Sequence, residues 1–209
     1  MVERQLRRRG ISDQRVLDAM ARVPRERFVP QGSWRRAYAD GALSIGEGQT
    51  ISQPYIVATM AAALELRGHE RVLEVGTGSG YGAAVLSRCC REVVSVERHG
   101  ALAERARTTL AELGIANVAV LEGDGSRGVP ERAPFDGIQV TAAARDRPPP
   151  ALLAQLGSGG TLVCPVRRDQ DEQLIRIRGE TVEPLTPCRF VPLVESPAPG
   201  ESTPPATYH

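Results

Sequence analysis

Between residues 71 and 166 the chain alternates short apolar runs with longer stretches whose apolar positions recur every three or four residues. The runs are Arg71–Val75 (RVLEV), Val93–Glu97 (VVSVE), 117–121 (NVAVL), Phe135–Thr141 (FDGIQVT) and Thr161–Val166 (TLVCPV). Nearly continuous apolar runs of this length predict strands buried on both faces. The stretches between them predict helices from about Gly80 to Cys90, from Ala101 to Leu113 with Gly114 as the stop, and from Pro150 to Leu156. Strands separated by helices in this order predict right-handed βαβ units. The expected fold is α/β, a three-layer, doubly wound and mostly parallel sheet.

The flanks are read from the same periodicity. Ser12 is the expected N-cap of a helix that carries Val16, Leu17 and Met20 on one face and ends before Pro24. Residues 24–53, rich in Gly and Pro, predict irregular chain with one short helix near Trp34–Tyr38. Pro54 suits the first turn of a helix reaching about Leu66, closed by Gly68. Gln173–Arg178 alternates with a period of two, and Cys188–Val194 is a further apolar run. Both predict closing strands, antiparallel at one edge. Ser196–His209 holds four prolines and little apolar bulk, which predicts a disordered tail. The expected organisation is one domain over 1–195, with N-terminal helices and a loop in 1–53 and the sheet core in 54–195, then the tail 196–209.

Composition narrows the chemistry. A chain of 209 residues, 41% hydrophobic, suffices for one core. The net charge of +1, from 26 basic and 25 acidic residues, provides no basic field for nucleic acid or a membrane. Every basic residue is arginine, which excludes a P-loop lysine, a Schiff-base lysine and a lysine general base. Cys89, Cys90, Cys164 and Cys188 lack CxxC spacing, and His69, His99 and His209 are scattered, so no metal site is expected. The charged N-terminus and the absence of an apolar run of ~18 residues predict a soluble, cytoplasmic protein, taken to be a monomer.

Three segments supply parts of one ligand site. Gly76-Thr77-Gly78-Ser79-Gly80 follows the first core strand at once. In that frame the dinucleotide fingerprint fails, because its third glycine would fall on Tyr81. Shifted by two, Gly78–Ala83 satisfies GxGxxA and leaves a nicotinamide dinucleotide open. Glu74 lies inside the apolar strand, where an acid is costly unless it is hydrogen-bonded, and a ligand amino group is a natural partner. Glu97 and Asp124 tip the next two strands, placed to take ribose hydroxyls and an adenine amino group. A sulfonium ligand has no phosphate and needs only close main-chain approach, so the pattern favours S-adenosyl-L-methionine over NAD.

The stretches VERQLRRRGISD, VPRERFVP, AYADGALSIGEGQTISQPYIVA, LEVGTGSGY, SVER, GDG, FDGIQVTAAA, LLAQLGSGGTLVCPV and FVPLV together resemble the protein-L-isoaspartate (D-aspartate) O-methyltransferases. The resemblance implies a Rossmann-like, class I S-adenosylmethionine-dependent methyltransferase fold. It implies methyl transfer to the free carboxylate of isoaspartyl and D-aspartyl residues in damaged peptides, which starts repair through a succinimide. Ser52 would be the active-site serine, with Thr50, Ile51 and Gln53 shaping its loop. Glu74, Gly76, Thr77, Gly78 and Gly80 would cradle the methionine part of the cofactor, Glu97 its ribose, and Asp124 with Gly125 its adenine. Thr141 and Ala142 would line the floor of the substrate site. Tyr38, Tyr55 and loop 40–53 are expected as walls of the peptide groove. The chain departs from the family pattern at Arg145, where a proline is usual, and at Val166-Arg167-Arg168-Asp169, where a glycine is expected. A carboxylate acceptor is already ionised near neutrality, so no general base is needed and the lack of a well-placed histidine is no obstacle. Alternative readings are a methyltransferase for another acid, an NAD-dependent oxidoreductase and a non-catalytic binding module.

Overall fold

The computed structural model describes residues 1–195; the expected tail at 196–209 lies outside the described residues. A central eight-stranded sheet is built from β3 (Arg71–Val75), β4 (Glu92–Glu97), β5 (Val118–Glu122), β6 (Phe135–Val140), β7 (Ala144–Arg145), β8 (Leu156–Arg168), β9 (Asp171–Arg178) and β10 (Thr181–Pro187). Its order is β5-β4-β3-β6-β8-β9-β10, with β7 beside β8. The pairs from β5 through β8 are parallel, and β9 and β10 close one edge antiparallel. The chain winds outward from β3 to β5 and then crosses back to β6 on the other side of β3. This reversal opens a crevice at the carboxyl ends of β3 and β6, where doubly wound sheets bind ligands.

Alternate residues of the strands feed two apolar layers. Val72, Val93 and Val120 face one cluster together with α1 (Gln14–Arg22), α2 (Pro54–Ala63), α3 (Tyr81–Leu86) and α4 (Gly100–Glu112). Leu73, Val94 and Ile138 face the other, which is covered by Leu152 of the single-turn α5 (Pro150–Leu153) and by Val129. Leu6, Leu17 and Met20 from the N-terminal segment pack into the first layer.

Several expectations are corrected. Asp13, not Ser12, caps α1, its Oδ1 accepting from Val16 N at 3.1 Å. The short helix expected near Trp34–Tyr38 is a 3₁₀ turn at Gln31–Arg36. Helix α2 stops at Ala63, three residues early, because Glu65 adopts a left-handed φ of 54° and is held by Arg176 and Arg178 at 2.5 and 3.0 Å. Residues 24–53 are not irregular throughout. They contain a hairpin of β1 (Leu43–Gly46) and β2 (Gln49–Ile51). Its turn residues Glu47 and Gly48 have φ of 53° and 67°, the positive values that a type I′ turn demands. Cys188–Val194 is not a strand, since among the described residues its only β-contact is the bridge from Pro192 to Ala143. The edge strand is instead the more polar and largely exposed β10. Among the described residues no helix is long and apolar enough to cross a membrane, and no group of His, Cys, Asp and Glu could hold a metal ion.

Candidate active site

A cavity of about 970 Å³ opens at the reversal point, between the loops after β3, β4 and β5 on one side and two irregular segments on the other. Glu74, Gly76, Thr77, Gly78, Glu97, Asp124 and Gly125 line the first side, whereas Gly80 stands behind it. Thr50, Ile51, Ser52, Gln53, Thr141 and Ala142 also line the cavity, so the structure brings the expected residues together with that one exception.

The glycine bend is fixed by main-chain and side-chain bonds. Gly76 N and Thr77 N both donate to Val96 O, at 2.8 and 3.2 Å, which draws the bend over the end of β4. Gly76 has a φ of 94°, and a Cβ there would meet Thr141 Oγ1 at 2.3 Å. Any other residue at this position meets both backbone strain and collision. The Thr141 hydroxyl lies against the carbonyls of Val75 and Gly76, at 3.0 and 2.5 Å, and so ties the cavity floor to the bend. Gly80, with a φ of 89°, ends the bend as the N-cap of α3 and backs onto Ala106 of α4.

The three acids differ in their surroundings. Glu97 accepts from Gly78 N at 2.8 Å and from His99 N at 2.9 Å, so it organises the bend as well as facing the cavity. Asp124 accepts from Ser126 N and Oγ at 3.0 and 2.7 Å and caps the turn Gly125–Arg127. Glu74 is 1% exposed. Its carboxylate accepts from Ser95 Oγ at 2.6 Å and from Gln139 Nε2 at 3.3 Å, and Ser95 Oγ continues to Thr77 Oγ1 at 2.6 Å. Burial, helped by the charge of Glu97, pushes the Glu74 carboxyl up to about 8.

Sequence reasoning missed Ser95 and Gln139. Gln139 lines the cavity, is 2% exposed, and its Oε1 has no acceptor role filled among the described residues. A polar residue in the otherwise apolar run FDGIQVT was the available signal. His99, set aside as scattered, lines the cavity two residues beyond Glu97, its Nδ1 4.0 Å from Glu47.

On the opposite side, Ser52 leads from β2 into α2. The helix is capped at Gln53 without a side-chain bond, so the Ser52 hydroxyl is not its cap and has no partner among the described residues. Ile51, Ile56, Val57 and Met60 make this side apolar. The outer wall is a strap over 187–194. Tyr38 and Tyr55, expected as walls of the peptide groove, do not line this cavity. The Tyr38 hydroxyl donates to Glu26, and the Tyr55 ring lies 3.4 Å under the Arg9 guanidinium.

The two departures from the family pattern meet in space, since Ala144-Arg145 pairs with Val166-Arg167. Arg167 binds Glu172 at 2.6 and 3.0 Å and the Phe190 carbonyl at 3.1 Å, while the buried Glu172 accepts from Phe190 N. Arg167, within the segment where a glycine is expected, thus moors the strap.

A bare bend, a deep carboxylate with an unfilled amide oxygen beside it, and two further acids suit a cationic, phosphate-free nucleoside ligand. The fold and this donor set define a class I S-adenosylmethionine-dependent methyltransferase. The model of the family protein-L-isoaspartate(D-aspartate) O-methyltransferase matches residues 1–198, and the chain belongs to that family. A protein-L-isoaspartate O-methyltransferase of Methanoculleus marisnigri is 53% identical over 199 residues, covering 93% of this chain and 90% of the relative. One from Anaeromyxobacter dehalogenans is 57% identical over 195 residues, covering 90% and 93%. A solved protein-L-isoaspartate O-methyltransferase superposes with a TM-score of 0.79 at 33% identity, covering 93% of this chain and 66% of that one. A Plasmodium falciparum protein described as a beta-aspartate methyltransferase, in complex with S-adenosyl-L-homocysteine, superposes at 0.78 with 25% identity, covering 91% and 95%. The oxidoreductase alternative falls with this membership.

Proposed function

We propose that this chain transfers a methyl group from S-adenosyl-L-methionine to the free carboxylate of L-isoaspartyl and D-aspartyl residues in damaged peptides and proteins. The observation that carries the reading is a single cavity that joins the acid-tipped bend to an acceptor segment, Thr50–Met60, that carries no histidine or carboxylate. The segment Thr50–Met60 offers hydroxyls, an amide and apolar side chains, with no His, Asp or Glu. An acceptor with a pKa of about 4 is ionised at neutral pH, so that side has no proton to remove.

The residues divide the work. Glu74 and the Gln139 Oε1 would receive the cofactor's ammonium, the bend from Gly76 to Gly78 its methionine part, Glu97 its ribose hydroxyls, and Asp124 with Gly125 its adenine. When bound, S-adenosylmethionine supplies an electrophilic methyl group on a cationic sulfur. Ser52 Oγ donates to one oxygen of the substrate carboxylate and turns it toward the bend. Thr50 and Gln53 flank it, and Thr141 and Ala142 support it from the floor. Ile51, Ile56 and Met60 keep water from that oxygen, which makes it more reactive because its charge is consumed in the reaction. Ser52 is not a nucleophile, since no base adjoins its hydroxyl. The substrate's following backbone amide nitrogen then attacks the methyl ester and expels methanol, closing a succinimide by the substrate's own chemistry.

We place the enzyme in the cytoplasm as a monomer acting on peptide rather than nucleic acid, with residues 1–195 as one catalytic unit. The near-neutral net charge of +1 and four free thiols, three of them buried, support this. Methyl incorporation into an isoaspartyl peptide, measured beside its normal aspartyl twin, tests the substrate. Strong labelling of the first alone is expected; equal labelling of the two would defeat the assignment.

A further inference from the structure

We propose that Arg25 is a positioning residue for the methyl acceptor. Its buried guanidinium fixes the main chain at Ser52 and provides the positive field in which the substrate carboxylate is seated. The inference rests on the role given to Ser52 above.

Arg25 belongs to VPRERFVP, a stretch that carried family resemblance but no role. It is 0% exposed and begins a 3₁₀ turn over Arg25–Phe28. Nε donates to Ala37 O and Nη2 to Ser52 O, both at 2.7 Å. The guanidinium also lies 4.7 Å from the ring centroid of Tyr81, the residue that follows Gly80 and opens α3. One planar group therefore clamps the N-terminal segment, the Ser52 loop and the helix behind the glycine bend. A lysine ammonium lacks the fork that reaches two carbonyls in one plane.

The charge is the unusual part. A buried cation is costly unless an anion or a full set of acceptors compensates it. Here the compensation is two carbonyl dipoles and an aromatic face, and Nη1 has no acceptor among the described residues. Asp40, whose charge reaches Arg25, pairs instead with Arg9 at 2.6 Å, and Glu26 on the same turn accepts from Tyr38. Burial accordingly lowers the pKa of Arg25 from its ordinary value, although the group stays protonated. A staple for the loop alone would not need a charge. A charge bonded to the very residue that orients an anionic acceptor gains its missing counter-ion when that acceptor arrives, and it withholds that gain from an uncharged side chain.

Arg25→Lys and Arg25→Gln, each made in the wild-type chain and in Ser52→Ala, test this. Kinetics on an isoaspartyl peptide are read beside S-adenosylhomocysteine affinity and thermal denaturation. In the wild-type background, kcat/KM should fall at least tenfold for Arg25→Lys and further for the neutral Arg25→Gln. Much of the loss should lie in the peptide KM, with S-adenosylhomocysteine affinity within threefold. In the Ser52→Ala background Arg25→Lys should cost under threefold, because the hydroxyl to be positioned is gone, whereas the neutral Arg25→Gln should still raise the peptide KM, because the field is lost. Losses for Arg25→Lys that are additive in the two backgrounds, or losses that follow cofactor affinity, would overturn the inference and leave the Ser52 role intact. Unfolding of both variants would also overturn it, reducing Arg25 to a stabilising residue. Unchanged turnover for Ser52→Ala alone would remove the Ser52 role and the inference with it.

Discussion

The two walls of the cavity are held up in different ways. The cofactor wall is a parallel ladder, and the loops that leave it are pinned by the ends of neighbouring strands and by groups a few residues away. Glu97 binds the amide of His99, and Asp124 that of Ser126. The acceptor wall has a three-residue strand, an uncapped helix start and a strap with one β-bridge. Its carbonyls are met by arginines distant in sequence: Arg25 on Ser52, Arg105 on Ile45 at 2.7 Å, and Arg167 on Phe190. A ladder fixes position through many weak, local, cooperative bonds. A moored loop depends on single side chains, so its position can be altered one residue at a time without disturbing the donor site.

The largest expected effect probes the ladder wall at its most costly point. The Glu74 carboxyl titrates at about 8 in the folded chain, against 4.5 as the ordinary value. A raised folded pKa means that its contribution is fully present below 4.5 and is lost as pH rises through 8. Stability of the ligand-free protein should therefore fall across that window, by several kcal/mol at 1.4 per unit of separation. Glu74→Gln should flatten the fall; identical slopes of melting temperature against pH would refute this. Next, Arg167→Gly leaves Glu172 buried without its cation, which should cost about 3 kcal/mol of stability. The peptide KM should rise while S-adenosylhomocysteine affinity stays within a few-fold. A matched loss of cofactor affinity would show that the walls are not independent. Smallest, Glu97→Ala should weaken S-adenosylhomocysteine binding by about 1–2 kcal/mol, from lost charge-assisted hydrogen bonds. The peptide KM at saturating donor should hold, and calorimetry beside steady-state assays separates the two effects.

The same contrast decides what could be read in the sequence. Strands β3, β4, β6 and the centre of β8 were legible because each is largely buried on both faces, so composition alone marks them; β5 was legible from its apolar run although it is only half-buried, and the two-residue β7 was missed. Glu74, Glu97 and Asp124 were legible because each sits at or near the end of such a run. Helix α2 was overextended because Glu65 is turned out by arginines more than a hundred residues away, and β10 gave no apolar signal because much of it faces solvent. The hairpin does leave a trace in the glycines around Glu47, although a stretch rich in Gly and Pro reads as irregular chain. Gln139 and Ser95 hide within strands as single polar letters. The arginine moorings leave no trace at all, since a side chain that meets a remote carbonyl imposes no local spacing. Even the departure at Arg167 acquired meaning only when Phe190 and Glu172 were found beside it.

A Cβ placed on Gly78 would touch Ile45 Cδ1 at 3.5 Å, so the hairpin rests directly on the bend. Two ligands that share such a partition cannot be energetically indifferent to each other if either one shifts it. Thermodynamic reciprocity then requires that whatever factor the damaged peptide applies to the affinity for the sulfur donor, the donor returns in equal measure to the peptide.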